Sequence, residues 1–304
     1  MSIAIIGPEA EARLDWIALT DAFAAGHRRP RAEIGDTFLY RGDDTLLSRA
    51  AWIDGMGMAV KSATIFPANP EAGHPRVNGG VSLFADDTGA LEALVDFHLV
   101  TKWKTAGDSL YAARLLARPE SRAITIVGAG TVARSMIEAY AAAFPGARFT
   151  VWNRSPGAAE RLAAERADVA AATDLEAAVR GADIICTATM ATTPLIAGDW
   201  LQPGQHLDLI GAFRHDMREV DDAALQHAHL FVDSFQTTLD HIGELRIPLA
   251  EGIIRRDDVL ADFYDVPAGR YARPDAKAIT IAKNGGGAHL DLMTARYILE
   301  AARA

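Results

Sequence analysis

Two rhythms of apolar and polar positions divide the chain. From about residue 121 to residue 283, short β-branched runs alternate with alanine-rich stretches whose apolar residues recur at helical spacing. This is the pattern of repeated βαβ units around a parallel sheet. Ala123–Val127 and Arg148–Trp152 read as strands and Thr131–Ala143 as the helix between them, stopped by Pro145-Gly146. Further strands are predicted over 183–187, 206–210 and 229–232. Ser155-Pro156 reads as an N-cap followed by proline at the first helical position, and Thr173 with Glu176 as a capping box on a helix closed by Gly181.

The first hundred residues lack that alternation. Residues 32–40 and 45–52 predict strands joined by the turn Arg41-Gly42-Asp43-Asp44, a register that sets Asp36 opposite Arg49. Residues 101–117 predict one long helix ended by Arg118-Pro119. Near the C-terminus, Leu290, Met293, Tyr297 and Ala301 share one helical face that needs a partner surface. The parallel sheet is complete by Ile281, so that partner is expected in the first domain. The predicted fold class is α/β: a parallel-sheet domain of βαβ units over 113–284, and an α+β domain over 1–112 and 285–304 completed by the C-terminal helix.

Composition narrows the function classes. Of 304 residues, 50% are hydrophobic and 23% charged, enough apolar material for a packed core and against disorder. A net charge of -10 argues against nucleic acid or an anionic membrane as partner, and Arg28-Arg29-Pro30-Arg31 is too short to reverse that. The single cysteine, Cys186, excludes an internal disulfide. Met1 to Gly7 has no basic signal-peptide region, and the longest uncharged run, 184–198, is broken by threonines and Pro194 before it reaches a bilayer's width. A cytoplasmic location is expected.

The chemistry begins at Gly128-Ala129-Gly130-Thr131-Val132-Ala133, a G-x-G-x-x-A run that follows a predicted strand and opens a predicted helix. That context lets the backbone approach a pyrophosphate whose charge the helix N-terminus stabilises. At the end of the second strand, where an NAD site usually has Asp or Glu, this chain has Asn153-Arg154-Ser155. A guanidinium and a hydroxyl suit a 2′-phosphate, so NADP is expected in preference to NAD. Thr187-Ala188-Thr189, at the end of the fourth strand, is where nicotinamide ribose would lie. His227-Ala228-His229 has no metal-ligand spacing around it, so no metal is expected, and Asp208 in a sheet strand reads as structural.

Four segments, in order along nearly the whole chain, carry a resemblance: Val60-Lys61-Ser62-Ala63-Thr64-Ile65-Phe66-Pro67, Thr101-Lys102-Trp103-Lys104-Thr105-Ala106, Ile126-Val127-Gly128-Ala129-Gly130, and Ala282-Lys283-Asn284-Gly285-Gly286. They resemble the ornithine cyclodeaminase and mu-crystallin family. The resemblance implies a Rossmann domain paired with an N-terminal domain that binds substrate and forms a homodimer, and activity on imines or amino acids with NAD(P). It implies that Lys61 faces the substrate. Lys104 falls where most members have arginine, near substrate and cofactor phosphates, with Asp108 as an alternative partner along the helix. Arg76 falls near a polar cofactor contact and Asn284 matches a residue beside nicotinamide; Gly211 and Phe213, at a strand end, are also expected at the cofactor.

Two departures bear on the reaction. Cyclodeaminases resemble one another in an acid where this chain has Leu47-Ser48-Arg49-Ala50, and in an aspartate where it has Phe213. Without them, ornithine cyclisation lacks its proton-handling groups. Asp216-Met217-Arg218-Glu219 is closer to the mu-crystallin type of ketimine reductase. The resemblance therefore implies NAD(P)H-dependent reduction of a small anionic cyclic ketimine, Δ1-pyrroline-2-carboxylate to L-proline. Ornithine cyclodeaminase with bound NAD is the first alternative, and a non-catalytic NADPH-binding, crystallin-like protein the second. Lys61 is the expected proton donor or carboxylate anchor. Arg49, with Arg31 and Arg41 as alternatives, is expected to hold the carboxylate; the plain alternative for Arg49 is an ion pair with Asp36. Cations are expected to do this without help from acidic side chains.

Overall fold

The computed structural model of the chain describes residues 3–304. Met1 and Ser2, the start of the stretch that reads as lacking a signal sequence, lie outside them. In chain order the first elements are β1 (Ala4–Ile6), α1 (Trp16–Gly26), β2 (Glu33–Arg41), β3 (Asp44–Ile53), β4 (Gly57–Ile65), β5 (Val77–Phe84), β6 (Leu91–Asp96) and α2 (Phe97–Leu116). Then come β7 (Ala123–Val127), α3 (Thr131–Ala143), β8 (Arg148–Trp152), α4 (Pro156–Ala163), β9 (Val169–Ala172), α5 (Leu175–Arg180), β10 (Ile184–Thr187) and β11 (His206–Leu209). The last are α6 (Asp222–His227), β12 (His229–Val232), α7 (Phe235–Thr238), α8 (Gly243–Ala250), β13 (Val259–Ala261), β14 (Thr280–Lys283) and α9 (Ala288–Arg303). These elements fall into two compact units, Met1–Lys104 with Gly287–Ala304, and Thr105–Gly286. The sequence-based divisions at 112/113 and 284/285 fall in the same helix and the same loop.

The first unit is built on a six-stranded sheet in the order β1-β6-β5-β4-β3-β2, antiparallel except for β1 on β6. A two-residue loop joins β2 to β3, with Gly42 at φ +57, the kind of tight turn whose twist matches its strands and so fixes their register. One face of the sheet buries Ala51, Ile53, Ala59, Ala63, Val81, Leu83 and Val95, and α9 packs across it with the side that carries Asp291. The face predicted to need a partner surface meets α1 in the same unit, where Met293 lies against Gly26 and the Tyr297 hydroxyl accepts the Asp15 N–H at 2.8 Å. The helix predicted from residue 101 begins at Phe97, because Asp96 Oδ1 accepts the Leu99 N–H at 2.7 Å and caps it there.

The second unit is an eight-stranded, wholly parallel sheet in the order β13-β12-β14-β11-β10-β7-β8-β9. Strands added after β7 run outward through β8 and β9. The chain then returns to place β10 on the other side, so β7 and β10 flank the switch point where such sheets bind dinucleotides. Val127, Ile185, Leu207, Leu209, Val232 and Ile281 belong to its core. Asp174, not Thr173, caps α5 by accepting the Ala177 N–H at 3.1 Å, and Glu176 instead bonds to Arg180 at 2.7 Å. The helix simply starts one residue later than the capping-box reading places it. Ser155 does sit at the N-cap of α4, without a side-chain capping bond. Asp208 is structural, as expected: it is fully buried and accepts the Tyr140 hydroxyl.

Candidate active site

The register of the first sheet lines up charges as well as apolar residues. Asp36, Arg49, Lys61 and Val81 form one row across β2, β3, β4 and β5. Arg49 Nε donates to both Asp36 oxygens at 3.1 Å. Lys61 is only 7% exposed, and its Nζ donates to Asp291 Oδ1 at 2.9 Å, from the first turn of α9. The same ammonium lies 4.8 Å from the centre of the Phe97 ring, a cation–π contact. The ring can lie there because Gly79 has no side chain; a Cβ would sit 2.6 Å from ring Cδ2.

Burial lowers the Lys61 pKa from that of an ordinary lysine; Asp291 pulls it back, and Lys104 and Arg49 push it down further. Burial works to raise the Asp291 carboxyl, but Lys61, Lys104 and Arg49 outweigh it and hold the group below the usual range. Next to them, burial drives His289 well below an ordinary imidazole, reinforced by His27, Lys104, Arg31 and Arg49. His27, also buried, falls to about 4. Both rings are therefore neutral near pH 7, and Arg49, Lys61 and Lys104 converge on one carboxylate, Asp291. With Asp36 also counted, cations still exceed anions. A small carboxylate ligand suits such a site.

Asp108, the alternative partner of Lys104, also accepts from Asn284 Nδ2 at 2.7 Å. Two expectations change here. Arg41 pairs with Asp44 at 2.8 Å at the hairpin turn, apart from this cluster. Acidic side chains do take part: Asp291, a residue the sequence reading misses, is paired with the lysine of greatest interest. No local sequence signal marks it; that His289, Asp291 and Thr294 are buried together emerges only in the fold.

The glycine-rich loop of the second unit fits a dinucleotide. Gly128 has φ +119, and a Cβ there would lie 2.6 Å from Ala188 O, so the loops after β7 and β10 meet only because this residue is glycine. Gly130 caps α3 without a side-chain bond and with open space about it, leaving first-turn N–H groups for an anion. Ala129, Thr131 and Val132 are partly or fully exposed beside it. Asn153 Nδ2 donates to Ser155 O at 3.1 Å, and Arg154 projects into solvent. Thr187 ends β10 and Ala188 and Thr189 follow it, and Gly211 and the exposed Phe213 follow β11. Asn284, after β14, is buried and also accepts from Ser109 Oγ at 3.4 Å. Arg76 lies in an exposed turn of the other unit, its carbonyl accepting the Phe66 N–H at 2.9 Å.

Beneath these loops is a charged layer that local sequence pattern does not reveal. Lys283 is fully buried and donates to the carbonyls of Leu209, Ala212 and Asn284 at 2.7–2.8 Å. Glu244 accepts the N–H groups of Glu219 and Val220; burial, then the charge of Glu219, pushes it up to about 7. Among the described residues, no group of three or more His, Cys, Asp or Glu could hold a metal ion, and no helix is long and apolar enough to cross a membrane.

Comparison with known proteins agrees with the fold and the motifs. Residues 51–304 match the ornithine cyclodeaminase/mu-crystallin family. A Δ1-pyrroline-2-carboxylate reductase of Paracoccus denitrificans is 51% identical over 296 residues, covering 95% of this chain and 94% of that one. The structure of Thermococcus litoralis Δ1-pyrroline-2-carboxylate reductase in complex with NADH and L-proline matches with a TM-score of 0.90 at 25% identity, over 99% of this chain and 98% of that one. An archaeal alanine dehydrogenase dimer with bound NAD matches with a TM-score of 0.90 at 26% identity, over 100% and 97%. On its sequence and its fold, the chain belongs to the ornithine cyclodeaminase/mu-crystallin family.

Proposed function

We propose that the chain reduces Δ1-pyrroline-2-carboxylate to L-proline with a nicotinamide dinucleotide as reductant. The observation that carries this reading is the convergence of Arg49, Lys61 and Lys104 on one buried carboxylate, in a chain half identical to a reductase of that compound. When bound, the reduced nicotinamide supplies a hydride to the imine carbon. The ring nitrogen then needs one proton for each hydride the carbon receives. Lys61 is the donor, because burial and its cationic neighbours weaken its hold on that proton while the bond to Asp291 keeps it loaded. Arg49 and Lys104 hold the substrate carboxylate by charge. Leu47 and Phe213 place no acid where ornithine cyclisation needs one.

The finer parts of the reading are NADP preference and a homodimer. Exposed Arg154 with Ser155 suits a 2′-phosphate. The uncovered face of the first unit's sheet presents Ile5, 82% exposed, Trp52, 51% exposed, Leu94 and Leu46, an apolar surface suited to a second copy.

Purified protein given pyrroline-2-carboxylate is expected to oxidise NADPH and form one proline per NADPH, with NADH the poorer reductant. Arg154→Ala should shift the NADPH/NADH ratio of kcat/KM about tenfold towards NADH. Ornithine with NAD should release no ammonia. Ammonia release without imine reduction would discard the reading. Sedimentation is expected to give twice the 32.5 kDa chain mass, and Trp52→Asp to give the single chain; a monomeric wild type rules the dimer out.

A further inference from the structure

We infer that Glu219 is a positioning residue that shapes the nicotinamide side of the dinucleotide site. The inference rests on the reading that the loops after β10 and β11 hold the nicotinamide half. Glu219 is fully buried and lies outside both loops, yet its carboxylate gathers donors from each. Oε1 accepts the Thr189 N–H at 2.8 Å and the Thr189 hydroxyl at 2.7 Å. Oε2 accepts the Thr187 hydroxyl at 2.7 Å and the N–H groups of Gly211 at 2.8 Å and Ala212 at 3.1 Å.

The chemistry of this clamp follows from peptide geometry. In a trans peptide the N–H and the preceding C=O point in opposite directions. Turning the N–H groups of Thr189, Gly211 and Ala212 towards one carboxylate therefore turns the carbonyls of Ala188, Ile210 and Gly211 away from it. Those carbonyls are acceptors, and the nicotinamide carboxamide and ribose hydroxyls are donors. A cation in place of Glu219 could not gather N–H groups at all, and a neutral amide could gather only about half of them.

The packing leaves little freedom for another arrangement. A Cβ on Gly211 would lie 2.3 Å from Glu219 Oε1 and 2.3 Å from the Thr189 nitrogen, so only glycine lets the second loop close on the clamp. The clamp is anchored from behind, where Glu244 takes the backbone N–H groups of Glu219 and Val220 at 2.8 and 3.1 Å. From the same side, Lys283 ties the Leu209 and Ala212 carbonyls together. Glu219 thus reaches the cofactor only through backbone that it orients.

The test separates the two halves of the dinucleotide. Binding of NADPH, or NADH if the wild type prefers it, is measured by fluorescence without substrate, alongside ADP-ribose, which lacks the nicotinamide. Glu219→Gln is expected to weaken the reduced dinucleotide about tenfold or more and to leave ADP-ribose within about twofold. Equal weakening of both ligands would make Glu219 a general structural residue and overturn the inference, as would no change in either. If Glu219→Gln does not fold, Thr187→Val removes one anchor at nearly constant shape and is read by the same criterion, with a shift of about threefold expected. Because no imine is present, the outcome decides the role of Glu219 even if wild-type protein fails to reduce pyrroline-2-carboxylate.

Discussion

Lys61→Met lowers kcat/KM for pyrroline-2-carboxylate by about a thousandfold, the scale of losing a positioned proton donor, and leaves dinucleotide affinity within about twofold. Methionine keeps much of the length and apolar stem of lysine, so the packing beneath Phe97 is retained while the charge and the proton go. Asp291 keeps the company of Lys104 and Arg49, whose charges also act on it. The loss should therefore fall on turnover and not on folding. The wild-type rate should decline as pH rises through the Lys61 pKa, which burial sets below that of an ordinary lysine, because the donor must be protonated to act. The variant should lack that alkaline decline. Stopped-flow reduction of the imine with dinucleotide saturating reads both effects. A variant that keeps more than about a tenth of wild-type kcat/KM would remove Lys61 from the chemistry.

What could be read before the structure was what neighbours in sequence decide. Thr131–Ala143 and Arg148–Trp152 have the bounds read from their periodicity, because each strand and helix of a βαβ unit carries its own pattern and its own stop. The pairing of Asp36 with Arg49 follows from a two-residue turn, which counts the register outward without further information. β9, with its Val-Ala-Ala-Ala sequence, and the three-residue β13 are too short or too poor in β-branched residues to announce themselves. The larger gap lies in the site. Asp291 is 230 residues from Lys61, and in sequence it looks like an ordinary acid in the first turn of a helix. Glu219 is 32 residues from Thr187 and 30 from Thr189, and only the closing of β10 and β11 side by side brings the donors to it. Long-range charge pairing leaves no local period, so a motif can point to the lysine while the acid that loads it stays hidden.

Asp291→Asn is the variant expected to cost the most stability. Both partners are almost wholly buried, with side-chain exposures of 9% for Lys61 and 2% for Asp291. Removing the acid strands an ammonium among cations, and breaking a buried pair in this way costs about 3–5 kcal/mol. The pH dependence follows from the sign of the Lys61 shift. Its folded pKa lies below the ordinary lysine value of 10.5 because of burial, and Asp291 is the chief influence opposing that fall. Without Asp291 it falls further, so between that lower pKa and 10.5 the unfolded chain holds more protons than the folded one, and stability rises with pH. The wild type, whose Lys61 stays charged to higher pH, gains less over the same window. The deficit of Asp291→Asn is thus largest near neutral pH and shrinks as the solution becomes alkaline. Urea unfolding of both proteins at a series of pH values measures it, and the alkaline decline of kcat/KM should move to lower pH in parallel. A deficit that is constant with pH would mean that Asp291 supports α9 by packing alone and does not control the Lys61 proton.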